Sequence, residues 1–165
     1  MNANPSGKRI GELLIERGLL TQAQLEEALT HQQSSREFLG ALLVRLGMVK
    51  EDALVQALSA RYGIPFESLD PERIDWAVAG RFPESLLTEG KGFPVRGDAH
   101  TVVVAVLNPL DALTLSAFQQ AAGSRTVKPV LVIERDLQAV LRTHKQRRLQ
   151  AIAARLDNPQ THGQT

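Results

Sequence analysis

A block of 24 residues occurs twice in this chain. From Arg9 it runs R-I-G-E-L-L-I-E-R-G-L-L-T-Q-A-Q-L-E-E-A-L-T-H-Q, and from Phe38 it runs F-L-G-A-L-L-V-R-L-G-M-V-K-E-D-A-L-V-Q-A-L-S-A-R. The offset is constant, since Gly11 and Gly40, Gly18 and Gly47, and Leu29 and Leu58 all lie 29 apart. Seven positions are identical: Gly11, Leu13, Leu14, Gly18, Leu25, Ala28 and Leu29 each meet the same residue in the second copy. Unrelated text would match at roughly one or two of these positions, given the usual residue frequencies. Four more pairs exchange one apolar residue for another: Ile10/Leu39, Ile15/Val44, Leu19/Met48 and Leu20/Val49. A unit this short cannot bury its own apolar face, so the two copies must pack on each other. The result is a two-fold scaffold suited to a two-fold ligand.

Within each copy the pattern is that of two short helices. Apolar residues at Ile10, Leu13 and Leu14, and again at Leu42 and Leu43, follow helical spacing. Gly18 and Gly47 stand where a left-handed cap ends the first helix. Thr21 followed by Gln24 is a capping box that starts the second. Leu25, Ala28 and Leu29 are its apolar stripe. In the second copy Lys50 replaces the capping threonine, and Glu51 and Asp52 favour the helix start through the dipole. Gly63-Ile64-Pro65 stops the fourth helix.

Beyond Pro65 the period changes. Pro71, Pro83 and Pro94 punctuate a loop-rich stretch with one short helix over Pro83–Leu87. His100 to Leu107 is a β-branched run of the length of a buried strand. Asn108-Pro109-Leu110-Asp111 is a turn into a helix that carries Leu113, Leu115, Phe118 and Ala122 and ends at Gly123. Val127 to Ile133 reads as a further strand, placed at an edge by Pro129. Phe93 to Arg96 adds a third. Glu134 to about Leu156 is helical. The expected fold is therefore α+β. A four-helix tandem repeat (8–66) packs with a small α/β subdomain (67–156), whose short, mostly antiparallel sheet is covered by helices. Residues 1–7 and 157–165 are expected to be flexible ends.

Composition narrows the function. The formal net charge is +1 over 165 residues, which gives no electrostatic case for a nucleic-acid partner. There is no cysteine, so disulfides and thiolate metal sites are excluded. His31, His100, His144 and His162 show no metal-ligand spacing. No apolar run approaches the ~20 residues needed to span a bilayer, and the first residues lack a signal core. A soluble cytoplasmic chain without membrane insertion is the expectation. No G-x-x-x-x-G-K-[ST] phosphate loop, nucleophile set or glycine-rich dinucleotide loop is present, and the expectation is a protein that is not an enzyme. Trp76 reads as a packing anchor, and Lys145-Gln146-Arg147-Arg148 as a solvated helix face.

The repeat resembles the N-terminal domain of the type II secretion and type IV pilus assembly ATPases, the MshEN or GspE N-terminal type. The family unit reads R-L-G-x-x-φ-φ-x-x-G-φ-φ-x-x-x-x-L-x-x-x-L-x-x-Q, with φ a branched aliphatic. Two units are separated by five residues, as they are here by Gln33-Ser34-Ser35-Arg36-Glu37. The segment at Ile64-Pro65, the strand ending at Asn108-Pro109-Leu110-Asp111 and the following helix–strand–helix resemble the family's second subdomain.

The resemblance implies binding of cyclic di-GMP, one half to each repeat, with no other cofactor. Carried over by position, the first repeat supplies Arg9, Ile10, Gly11, Leu25, Leu29 and Gln32. The second supplies Leu39, Gly40, Leu54 and Leu58, and Asn108 sits where the second subdomain leans on the nucleotide. The second repeat departs from the pattern at both polar ends. Phe38 stands in place of the arginine and Arg61 in place of the glutamine. Phe38 offers a stacking face, Arg61 a guanidinium, and Arg36 is a nearby substitute. The helix-stripe leucines have a second reading as plain core. Two functions follow. One is a cyclic di-GMP receptor domain that signals to a protein partner, such as a secretion or pilus ATPase or an inner-membrane component. The other is a nucleotide-independent adaptor for the same machines.

Overall fold

The computed structural model describes residues 5–35 and 37–157, with side-chain surroundings from Arg9 onward. The expectations for residues 1–4, Arg36 and residues 158–165 lie outside the described residues. The first repeat folds as α1 (Pro5–Glu16) and α2 (Gln22–Gln32), the second as α3 (Leu39–Arg45) and α4 (Glu51–Tyr62).

The two copies end their first helices identically. Leu19 N–H donates to the Leu14 carbonyl at 2.9 Å and Gly18 N–H to that of Ile15 at 3.0 Å. In the second copy Met48 donates to Leu43 at 2.9 Å and Gly47 to Val44 at 3.0 Å. This is the Schellman pattern of paired bonds. It needs a left-handed residue, which Gly18 (φ 70°) and Gly47 (φ 74°) supply without Cβ strain. The start of α2 has the full capping box, with Thr21 accepting from Gln24 N–H and the Gln24 side chain accepting from Thr21 N–H. Helix α4 has no such cap on Lys50, and Glu51 and Asp52 occupy its first turn.

A second pair of glycines sets the helix spacing. A Cβ placed on Gly11 would lie 2.5 Å from Leu25 Cδ1. One placed on Gly40 would lie 2.9 Å from Leu54 Cδ2 and 2.8 Å from Phe38 Cε1. Leu25 and Leu54 are themselves 29 apart and both 4% exposed. Each first helix therefore omits a side chain where the leucine of the following helix seats, in the same place in both copies. Helix α1 packs on α2, α3 and α4, which closes the four helices into one unit.

The α/β half contains a 3-10 turn (Pro71–Arg73), α5 (Trp76–Ala79), α6 (Glu84–Thr88), β1 (Gly92–Gly97), β2 (Thr101–Val106), α7 (Ala112–Ala122), β3 (Thr126–Leu131) and α8 (Glu134–Asp157). The sheet order is β1-β2-β3. The antiparallel expectation holds for β1 with β2, which share a bulge between Pro94 and Arg96; β3 runs parallel to β2. The physical reason is the connection: α7 carries the chain back along the sheet, and a helical crossover joins parallel strands. The Pro129 edge position is as expected. Helix α5 and the 3-10 turn were not foreseen. Four residues are too few to show a period, and their only local signal is the aspartates that cap them, Asp75 and Asp70.

The halves share one core. Leu14, Leu43 and Leu58 of the repeats belong to the same buried cluster as Phe93, Val104, Phe118 and Leu137. The connecting segment also extends the sheet. Leu131 N–H donates to the Pro65 carbonyl at 2.8 Å, and Glu67 N–H to the Leu131 carbonyl at 2.9 Å. Arg96 on β1 grips the Glu67 carboxylate with two bonds, of 2.7 and 2.8 Å. Helix α8 is fastened along its first four turns. Leu137 and Val140 enter the core. The His144 ring stacks on Trp76 (centroids 6.2 Å apart, 6° between planes) and bonds Glu84 at 2.8 Å. Trp76 is thus the anchor expected. The basic cluster is more engaged than a solvated face: Arg147 lies 4.6 Å over the Trp76 ring, and Arg148 meets Glu84 at 3.0 Å. Beyond it Leu149, Ile152 and Leu156 are exposed.

Two stability results follow. Leu25→Ala and Leu54→Ala should each cost about 2–5 kcal/mol in urea denaturation, the usual loss on truncating a buried leucine. Gly11→Ala should do less harm in the Leu25→Ala background than alone, because the truncated leucine leaves room for the new methyl; additive costs would show that the two residues do not meet.

Candidate functional site

The sequence-derived site residues separate into two groups. Ile10, Leu25, Leu39, Leu54 and Leu58 are buried in the shared core. Gly11 and Gly40 are buried as well, each under the leucine it admits. These seven fix the distance between helices and have little surface to offer a ligand. Leu29 is half-buried against the core. Arg9 on α1 and Arg61 on α4 are exposed. Gln32 is half-buried at the end of α2, and its Nε2 donates to the Glu37 carbonyl at 3.1 Å. The end of the first repeat thereby holds the residue that precedes the second.

Phe38 and Asn108 come together. They line a cleft of about 500 Å³ with Glu37, Ala41, Lys91, Leu107, Leu110, Asp111 and Glu134 among its other walls. The cleft lies where the second repeat meets the α/β half, and its volume is within the range of small-molecule sites, about 300–1,000 Å³. Phe38 is the residue before α3 and has no capping side chain to offer. Its ring lies over Gly40 and also faces a small apolar void bounded by Leu54 and Leu58. Asn108 builds the opposite wall. Its Oδ1 accepts from Leu110 N–H at 2.9 Å, which forms the turn after β2, and among the described residues its amide N–H₂ meets no acceptor. Arg9, Gln32 and Arg61 are not among the lining residues.

The charge of this cleft is acidic: Glu37, Asp111 and Glu134 against Lys91. The three carboxylates differ in what they meet. Glu37 is bound by Arg45 at 2.9 Å through Nη2, with Nε bonding as well. Asp111 caps α7, accepting from Thr114 N–H at 3.0 Å and from its hydroxyl at 2.7 Å. Among the described residues no donor meets the Glu134 carboxylate. Burial pushes this carboxyl above its ordinary range, and the neighbouring Glu37 and Glu51 push it the same way. Glu51 is held close because its Oε2 accepts from Glu134 N–H at the start of α8, at 3.4 Å. Glu37, Glu134, Lys91 and Asp111 were missed as site residues from sequence. They come from four separate stretches, and only their neighbours Phe38 and Asn108 carried a signal. Among the described residues there is no group of three histidine or acidic side chains placed to hold a metal ion, and no helix long and apolar enough to cross a membrane.

The raised Glu134 carboxyl sets a pH trend. Above the ordinary value of 4.5 the folded chain holds this proton more tightly than the unfolded chain does. Its contribution to stability therefore falls as pH rises through that window. Glu134→Gln should raise the melting temperature at pH 7 and leave it nearly unchanged at pH 4. A lowered melting temperature at pH 7 would mean that the charge is favourably paired.

Comparison with known proteins places this architecture. The model of the MshEN domain family matches residues 62–151, more than half of the 165. The match thus falls on the α/β half and α8, next to the repeats. The type IV pilus assembly ATPase PilB of Thermus thermophilus is 35% identical over 118 residues, 70% of this chain and 13% of that protein. Its counterpart in Myxococcus xanthus is 29% identical over 115 residues, 70% of this chain and 20% of that protein. The bacteriophage adsorption protein B of Escherichia coli K12 is 27% identical over 133 residues, 81% of this chain and 18% of that protein. The chain therefore spans at most a fifth of the length of these relatives. In three dimensions it is similar to a structure of MshE with cdg (TM-score 0.65, 24% identity, 81% of this chain and 96% of that one). It is likewise similar to the N-terminal domain of XpsE (TM-score 0.61, 22% identity, 86% and 97%). At these identities the likeness establishes the fold.

Proposed function

The chain belongs to the MshEN domain family, and from that membership we propose that it is a non-catalytic receptor domain for cyclic di-GMP, acting in the cytoplasm on a protein partner of the secretion or pilus ATPase type. The observation that carries the reading is the cleft between Phe38 of the second repeat and Asn108 of the α/β half. A ligand held there touches both halves of the molecule, so its binding energy bears on how they sit together. The similarity in fold to MshE, whose structure is with cdg, supports the choice of ligand. The repeat adds the polar ends Arg9 and Gln32. A guanidinium reads or stacks on guanine, and a glutamine amide both donates and accepts.

A second reading is favoured by one observation. Three carboxylates against one lysine line the cleft, which disfavours phosphates close to it. On that reading the domain is a nucleotide-independent adaptor, and the cleft serves packing alone.

Calorimetric titration separates the two. Cyclic di-GMP should bind and raise the melting temperature by mass action, while ATP should do neither. Arg9→Ala and Gln32→Ala should each weaken binding by about 1–3 kcal/mol, the range for one good bidentate base contact. Absence of heat and of any thermal shift at high micromolar cyclic di-GMP would leave the adaptor reading in its place.

A further inference from the structure

Of the three carboxylates that line the cleft, two have partners among the described residues. Glu37 is held by Arg45 and Asp111 by Thr114. Glu134, in the first turn of α8, lines the same cleft as Phe38 and Asn108, and among the described residues the Asn108 amide N–H₂ meets no acceptor. An aromatic ring, a carboxylate that meets no donor among the described residues and an amide donor around one cleft form a set that matches one nucleobase in particular. We propose that Glu134 reads guanine: the base stacks on Phe38, its N1–H and N2–H edge donates to the Glu134 carboxylate, and the Asn108 amide donates to O6.

The proposal rests on the receptor reading above and names the base-recognising residues of its second half-site. Three arguments carry it. First, guanine is the purine whose Watson–Crick edge presents two adjacent donors, and an ionised carboxylate is an acceptor only, so the edge and the group are complementary. Adenine turns its N1 lone pair toward the same oxygens and is repelled, which gives discrimination as well as binding. Second, stacking on one aromatic ring contributes about 1–3 kcal/mol per base without regard to sequence, so Phe38 supplies affinity where the repeat has lost its arginine. Third, Glu134 is held at a cost. It lies close to Glu37 and Glu51 and partly out of water, which raises its pKa. A neutral ligand edge that donates two hydrogen bonds relieves that cost, whereas a phosphate in the same place increases it. The base, rather than the phosphate, therefore belongs in this cleft. Lys91, the one cation among the described residues lining the cleft, remains for the anionic part of a dinucleotide.

The test uses the whole chain, labelled with nitrogen-15, and three probes: guanosine, adenosine and cyclic di-GMP. Guanosine should shift the amides of Phe38, Leu110 and Ala112 in a saturable way, and adenosine should bind at least tenfold more weakly. Glu134→Gln should weaken guanosine and cyclic di-GMP at least tenfold without lowering the melting temperature. Phe38→Leu should weaken both probes, and Glu72→Gln, outside the cleft, should change neither. If cyclic di-GMP binds and both Glu134→Gln and Phe38→Leu leave its affinity unchanged, the assignment of Glu134 is overturned and the receptor reading stands. If guanosine binds in the cleft with the expected discrimination and cyclic di-GMP does not, the receptor reading falls and the guanine site stands. If none of the probes moves these amides, both fall.

Discussion

In each repeat a helix carries no side chain at the one place where its partner's leucine has to lie. Gly11 admits Leu25, and Gly40 admits Leu54. Helices that meet through a glycine approach closely, and close approach fixes their relative rotation more tightly than leucine against leucine would. Everything downstream inherits that geometry. The position of α4 decides where Glu51 stands, Glu51 meets the first amide of α8, and α8 closes one wall of the cleft. The same glycines would in isolation suggest backbone approach to a ligand. Their neighbours show that the approach is to leucine.

What could be read from the residues was what is local. Gly18 and Gly47 announced their caps because only a left-handed residue satisfies the last carbonyls of a helix that turns back. Thr21 and Gln24 announced a capping box by their spacing. The β-branched run from Thr101 announced a buried strand. The parallel pairing of β3 was implicit in the helix between it and β2. The cleft was legible at Phe38, because a repeat makes a departure visible, and at Asn108 through the resemblance of the second subdomain. Glu134 was silent. Its significance depends on a residue 97 positions earlier coming beside it, and no period or spacing expresses such a contact. Arg147 and Arg148 were silent for the same reason, since a charge run looks solvated until a tryptophan and a glutamate are brought against it.

The junction between the halves is held by two kinds of contact with opposite costs. The apolar part, a core running from Leu14 through Leu58 to Phe93 and Leu137, is non-directional and strong. The polar part gathers Glu37, Glu51 and Glu134 within mutual influence, and among the described residues Arg45 offsets them. Proteins tolerate such like-charge groupings where the charges have work to do, and perturbed carboxyls gather at binding sites for that reason. The MshEN scaffold here gathers its like charges at the seam between its subdomains.

Helix α8 begins at that seam and runs for 24 residues. At about 1.5 Å per residue it is roughly 36 Å long. Its first four turns are clamped by the core, by Trp76 and by Glu84, and the residues from Leu149 to Asp157 are exposed. Such an element is a pointer that turns with its clamp. A tilt of about ten degrees at the seam carries the far end through roughly 6 Å, given that length. Displacements too small to disturb the packing around Glu51 and Glu134 are thus multiplied at the exposed side chains of Leu149, Ile152 and Leu156.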